Sequence, residues 1–160
     1  MRKSLLFGLV GFIIGVLITG VVMYNMAPGL MMMEDVSPYS FEETVAKFEK
    51  SVKEHGWKIP KVHDLQKTMK KFNKDVKPVK VIELCHPDHA GKILAKSKER
   101  LVSSLMPCRV AFYVKADGKT YISRMNSSLM ASMMAGIIPE VMDEAAKDTE
   151  KMLKAVLPKS

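Results

Sequence analysis

Val79-Lys-Val-Ile-Glu-Leu-Cys-His-Pro87 is the stretch on which the fold turns. Its alternation predicts a strand over Val79 to Cys85, with Val79, Val81, Glu83 and Cys85 on one face and Lys80, Ile82 and Leu84 on the other. Pro87, followed by Asp88 in the first turn, then opens a helix running to about Lys98. Downstream, Arg109 to Lys115 and Lys119 to Met125 read as a hairpin around Ala116-Asp117-Gly118, a strong turn signal. A short helix near Ser128 to Ala135 follows, and Pro139 opens the last one, with Met142, Ala145, Thr149, Met152 and Val156 along its apolar face.

Upstream, Ser40-Phe-Glu-Glu43 is a capping box, with Ser40 as N-cap and Glu43 at the third helical position. Phe41, Val45, Phe48 and Val52 form one apolar helix face, and Glu43/Lys47 and Glu49/Lys53 are i,i+4 pairs on the other side. Gly56 ends that helix. Trp57 to Val62 reads as a first strand in which Pro60 requires an edge or a bulge. Asp64 caps a short helix to about Phe72, and Lys77-Pro78 closes the connection. The order predicts an α+β fold: a small mixed or antiparallel sheet of about four strands packed with helices, preceded by one transmembrane helix.

From Ser4 to Met33 the chain carries no charged residue. Leu5 to Tyr24 would make about 30 Å of helix, the thickness of a bilayer core. Pro28-Gly29 is expected to stop it. Residues 1–26 are therefore read as an anchor, 27–37 as a tether and 38–160 as the soluble domain. A cleaved signal peptide competes, but no A-x-A site follows the apolar run. Arg2 and Lys3 place the amino terminus in the cytoplasm and the domain outside the cytoplasmic membrane, periplasmic or extracellular. Membrane lipid is one partner of this helix. Gly11 and Gly15 form a small-xxx-small pair suited to a second helix, in a homo-oligomer or a membrane protein complex.

The 160 residues carry 48% hydrophobic and 26% charged side chains, which excludes a disordered chain and a polytopic membrane protein. The formal charge of +8 includes a loose tract of Lys67, Lys70, Lys71, Lys74, Lys77 and Lys80. That tract has little arginine or interleaved aromatic and lies in the wrong compartment, so nucleic acid is not an expected partner. There is no phosphate loop, no Ser/His/Asp set and no H-E-x-x-H, which leans against an enzyme and leaves the cofactor unassigned.

Cys85 and Cys108 are the only cysteines, and their spacing is unlike a C-x-x-C redox site. Bridged, buried and functional thiols all remain open at this level. Glu83, on an expected central strand, needs a partner, for which Arg109 and Arg124 are candidates. One arrangement to test is a pocket of Glu83, Cys85, His86, Cys108 and Arg109 that acts as a ligand or thiol site. Cys85, His86 and His89 are candidate soft-metal ligands, and the 14 methionines suggest copper(I), although methionine is also an ordinary core filler.

Phe-Glu-Glu-Thr-Val45, Gly-Trp-Lys-Ile59, the stretch from Val79 to Pro87, Leu-Met-Pro-Cys-Arg-Val-Ala-Phe-Tyr113 and Asp-Gly-Lys-Thr-Tyr-Ile-Ser123 together resemble the family called domain of unknown function 302. The resemblance runs from Ser40 to Leu157. Its E-x-C-x-P motif, often with asparagine after the cysteine, corresponds to Glu83, Cys85, His86 and Pro87, and its P-C motif to Pro107 and Cys108. His86 departs from that asparagine. The resemblance implies a compact α+β fold, often dimeric, with no settled activity. Its members occur alone, membrane-tethered, or fused to redox and sulfur-metabolism modules. The resulting expectation is a membrane-anchored extracytoplasmic binding or assembly module, an accessory component of a membrane redox or respiratory complex. Alternatives are a thiol-dependent sulfur-handling protein using Cys85 and Cys108, and a copper-binding protein.

Overall fold

Strands β1 (Met32–Ser37), β2 (Val62–Asp64), β3 (Val79–Leu84), β4 (Cys108–Val114) and β5 (Thr120–Met125) form one sheet in the order β1-β5-β4-β3-β2. Every neighbouring pair is antiparallel. The computed structural model describes the backbone of residues 2–158 and the side chains of residues 7–158. The α+β class expected from the sequence is the class observed, with five strands where about four were expected.

The additional strand is β1, inside the segment read as a tether. Met-Met-Glu-Asp-Val-Ser has little strand propensity of its own. It becomes a strand because β5 otherwise leaves a row of backbone donors and acceptors unpaired. Glu34 clamps it on one face through Lys115 (2.6 Å) and the Tyr113 hydroxyl, and Asp35 clamps it on the other through Arg124.

Helix α1 (Arg2–Met31) also overruns its expected stop and passes through Pro28. Proline costs the bond to the carbonyl four residues earlier. The last turn is nevertheless secured from outside the helix. The Asn126 backbone N–H donates to Met31 O (2.8 Å) and its side-chain amide to Leu30 O (3.1 Å). Phe7–Met31 is long and apolar enough to cross a membrane, with mean hydropathy 2.3 and none of it buried. A Cβ added at Gly11 or Gly15 would meet nothing within 4 Å. The helix therefore leads into β1 without a linker.

Helix α2 (Phe41–Glu54) starts where its cap signals it, with Ser40 Oγ accepting from Glu43 N. It ends in a Schellman turn: Gly56, at φ 78°, donates to Lys53 O, and Trp57 N donates to Val52 O. Past this turn the chain makes only an isolated bridge, Lys58 with Cys85, before β2. Lys58 pairs with Cys85 but Val62 pairs with Ile82, so Ile59, Pro60 and Lys61 face only Glu83 and Leu84. This is the bulge that Pro60 demanded, and it shortens the expected first strand to three residues. Helix α3 (Leu65–Lys70) is capped by Asp64, whose Oδ1 accepts from Lys67 N at 2.7 Å.

Helix α4 (Pro87–Leu94) is shorter than expected and gives way to a 3-10 turn, Glu99–Leu105. Helices α5 (Ser127–Ser132) and α6 (Ile138–Leu153) complete the chain. α2 and α6 cover one sheet face, burying Phe48, Val52, Ile82, Leu84, Val110, Phe112, Ile122 and Met152 in one core. The rings of Phe48 and Phe112 are 5.0 Å apart. A smaller cluster of Ile93, Val102, Ile138 and Val141 lies beneath α4 and the 3-10 turn. The other sheet face is open, with Val81, Glu83, Ala111, Tyr113, Tyr121 and Ser123 only partly buried.

The antiparallel register gives the sheet two unlike ends. Where α1 enters β1, β5 ends, β4 begins and β3 ends, so α4, the 3-10 turn and α5 all gather there. The opposite end carries the Asp117-Gly118 turn and α3 with most of the lysine tract.

Candidate functional site

The five residues expected to share one pocket are divided between the two sheet faces. Glu83 and Arg109 oppose each other across β3 and β4 on the open face. Glu83 Oε1 lies 2.9 Å from His63 Nε2 and 3.6 Å from Arg109 Nε. The His63 hydrogen bond, reinforced by the charges of His63 and Arg109, outweighs desolvation and holds the Glu83 carboxyl below its ordinary range. Arg124, the other partner considered, lies on the covered face and cannot serve. It is 6% exposed and sends Nε and Nη2 to Glu150 (2.6 and 2.7 Å) and Nη1 to Asp35. His63 was missed because the first strand was expected to end at Val62. Pairing β2 with β3 puts His63 opposite Val81, diagonal to Glu83.

Cys85, His86 and Cys108 belong to a second group with His89 and Trp57, at the α1 end of the sheet. The geometry follows from the local chain. β3 stops at Leu84, Cys85 is held by mutual 2.9 Å backbone bonds with Lys58, and Pro87 turns the chain into α4. That puts His86 at the N-cap position and His89 one turn on. Their rings are 4.7 Å apart, and both lie against Trp57, at 5.3 and 5.6 Å. Trp57 itself is 4% exposed, which identifies this sole tryptophan as the wall of the pocket.

The His89 ring lies 3.5 Å from Glu144 Oε2 at Nδ1 and 3.5 Å from Asp148 Oδ2 at Nε2. Burial opposes ionisation of Asp148, but hydrogen bonds with Lys151 and His89 outweigh it and lower its carboxyl. The Nδ1 atoms of both His86 and His89 are buried without a hydrogen-bond partner. Cys85 and Cys108 are unbridged, and both line the small cavity, of about 50 Å³, beside these rings. Burial pushes the Cys108 thiol up, and the neighbouring Cys85 pushes it further. Arg109 pairs with Glu83 and, while it lines the larger cleft beside Cys108, its charge does not lower the Cys108 thiol. Cys108 is therefore a protonated thiol near neutral pH, unlike the thiolate that nucleophilic or ligand chemistry uses.

The copper expectation on Cys85, His86 and His89 finds no geometry to support it. Among the described residues no group of three or more His, Cys, Asp or Glu is arranged to hold a metal ion. Met134 packs against the smaller cluster of Ile93, Val102, Ile138 and Val141, as a filler does, whereas Met133 is 75% exposed.

The sequence profile described as "Domain of unknown function DUF302" matches residues 33–159, a span that starts inside β1. The chain belongs to the DUF302 family. A crystal structure of an uncharacterised conserved DUF302 protein from Bacillus stearothermophilus is similar, with a TM-score of 0.70 and 20% identity over 79% of this chain and 98% of that one. At that identity the likeness speaks for the fold. None of the curated proteins compared with the chain matches it. In this DUF302 chain β1 is thus part of the domain, and α1 precedes the matched span.

Proposed function

We propose that this chain is a membrane-anchored DUF302 binding module, displayed on the outer side of the cytoplasmic membrane as an accessory component of a membrane redox or respiratory complex. The observation that carries the proposal is the direct passage of the apolar helix Phe7–Met31 into β1, with Asn126 binding its last carbonyls. A domain fastened to the helix end in this way has its position relative to the bilayer set by backbone bonds. Arg2 and Lys3 before the helix support the outward orientation. The accessory role draws on the family setting of membrane-tethered members and redox fusions. Alkaline extraction of membranes should leave the chain in the pellet, and protease added to spheroplasts should digest the domain. Mild-detergent purification should recover it with stoichiometric partners. A protected domain would reverse the orientation, and a chain recovered alone would remove the accessory role.

A thiol-dependent or sulfur-handling role is the second reading, supported by the two unbridged thiols lining one cavity. It requires at least one reactive sulfur. From its raised pKa and burial, Cys108 should be alkylated at neutral pH at least about tenfold more slowly than a free thiol, and faster as pH rises. Fast labelling of Cys108 at pH 7 would bring the thiol reading to the front.

A further inference from the structure

A cleft of about 520 Å³ lies at the α1 end of the sheet, beside α6. Its size falls within the range of small-ligand sites. Met33, Met125 and Met142 line its apolar part, and Lys147 and Lys151 on α6, with Lys154 at the helix C-cap, stand exposed at the cleft rim. Lys147 pairs with Asp143 and Lys151 with Asp148, each at 2.8 Å, in exposed bridges that water already weakens. Arg124 closes the inner wall, but its charge is already taken up by Glu150 and Asp35. An apolar floor beneath a row of lysines matches a molecule with a hydrocarbon part and an anionic head.

The position of the cleft names the source of such a molecule. Asn126 lines the cleft and also binds the final carbonyls of α1. The opening is therefore next to the point where the apolar helix leaves the domain. Nearby α5, which packs against the end of α1, leaves Leu129 39% and Met133 75% exposed. Apolar side chains beside a membrane span, with lysines behind them, suit a bilayer interface and a lipid with an anionic head group.

We propose that this cleft holds the head group and upper acyl chains of an anionic phospholipid drawn from the membrane that α1 crosses. The domain then sits down on the bilayer by its α1 end and turns the lysine-bearing α3 end outward. This inference rests on the membrane reading above, and its test is separable from that reading.

The test uses the full chain in mild detergent, mixed with phosphatidylglycerol or phosphatidylcholine and examined by native mass spectrometry. One phosphatidylglycerol should be retained, at least about tenfold over phosphatidylcholine. Ala146→Trp fills the cleft from α6 and should abolish retention, with melting followed to confirm folding. Lys151→Glu with Lys154→Glu changes only exposed positions and should lower retention by about tenfold. Equal retention of the two lipids, or unchanged phosphatidylglycerol binding in the folded variants, overturns the proposal. Alkaline extraction of vesicles scores the anchor alone, so a chain that is stripped off defeats the membrane reading and not the lipid measurement.

Discussion

The two faces of this sheet each carry a charged cluster near the end of a strand, and they solve the same problem differently. On the covered face the cation Arg124 is 6% exposed and is met by two carboxylates at hydrogen-bonding distance. On the open face the anion Glu83 is met by His63 closely and by Arg109 loosely, and the Arg109 side chain is 55% exposed. Under helices a charge must be saturated because water cannot reach it. On an open face water does part of that work, and the ion pair is correspondingly weaker. The contrast also separates architecture from site: Arg124 ties β1, β5 and α6 together, whereas Glu83 ties only neighbouring strands.

The largest test of this contrast compares packing on the two faces. Phe112→Ala removes a fully buried ring tilted against that of Phe48 and should cost about 4 kcal/mol in urea unfolding. Val81→Ala, on the open face, should cost less than about 1 kcal/mol. Equal losses would mean that the open face is covered in solution, by a second copy or another partner.

The charged clusters provide the next pair. Arg124→Met leaves Asp35 and Glu150 facing each other without their cation and should cost about 2–3 kcal/mol, the lower end for a broken buried pair because both carboxylates retain some water. Arg109→Ala should change stability by no more than about 0.5 kcal/mol. A large Arg109 effect would break the distinction between the faces.

The smallest expected effect is in acid. The folded Glu83 carboxyl is lowered, so its contribution is complete above the ordinary carboxylate pKa and is lost as pH falls through the lower folded value. Wild type should therefore show a modest loss of stability below about pH 4 that Glu83→Gln lacks. His63→Ala should move the Glu83 titration, followed by carboxyl NMR, back toward its ordinary range. An unmoved titration would show that His63 is not the controlling partner.

Much of the fold was legible because its signals are local. Ser40 and Asp64 cap the helices that follow them, and Gly56 supplies the positive φ of the Schellman turn. Asp117-Gly118 turns the β4–β5 hairpin, and Val79 to Leu84 alternates as a strand. Each depends on a few adjacent residues and the chain's own stereochemistry. The candidate site was legible only in its residue types. Alternation put Cys85 on the face of Glu83, but the ladder breaks at the bulge beside Pro60, and Cys85 lines a cavity with Cys108 instead.

Local chemistry thus determined the apolar helix, the caps, the hairpin and the α+β class. Tertiary structure alone decided that Met32 to Ser37 is a strand, that His63 rather than Arg124 meets Glu83, and that the thiols and the Glu83–Arg109 pair lie apart. The physical reason is that period two assigns residues to two faces without saying which face the helices cover. Register, and with it every partner across the sheet, depends on pairing between residues far apart in the chain.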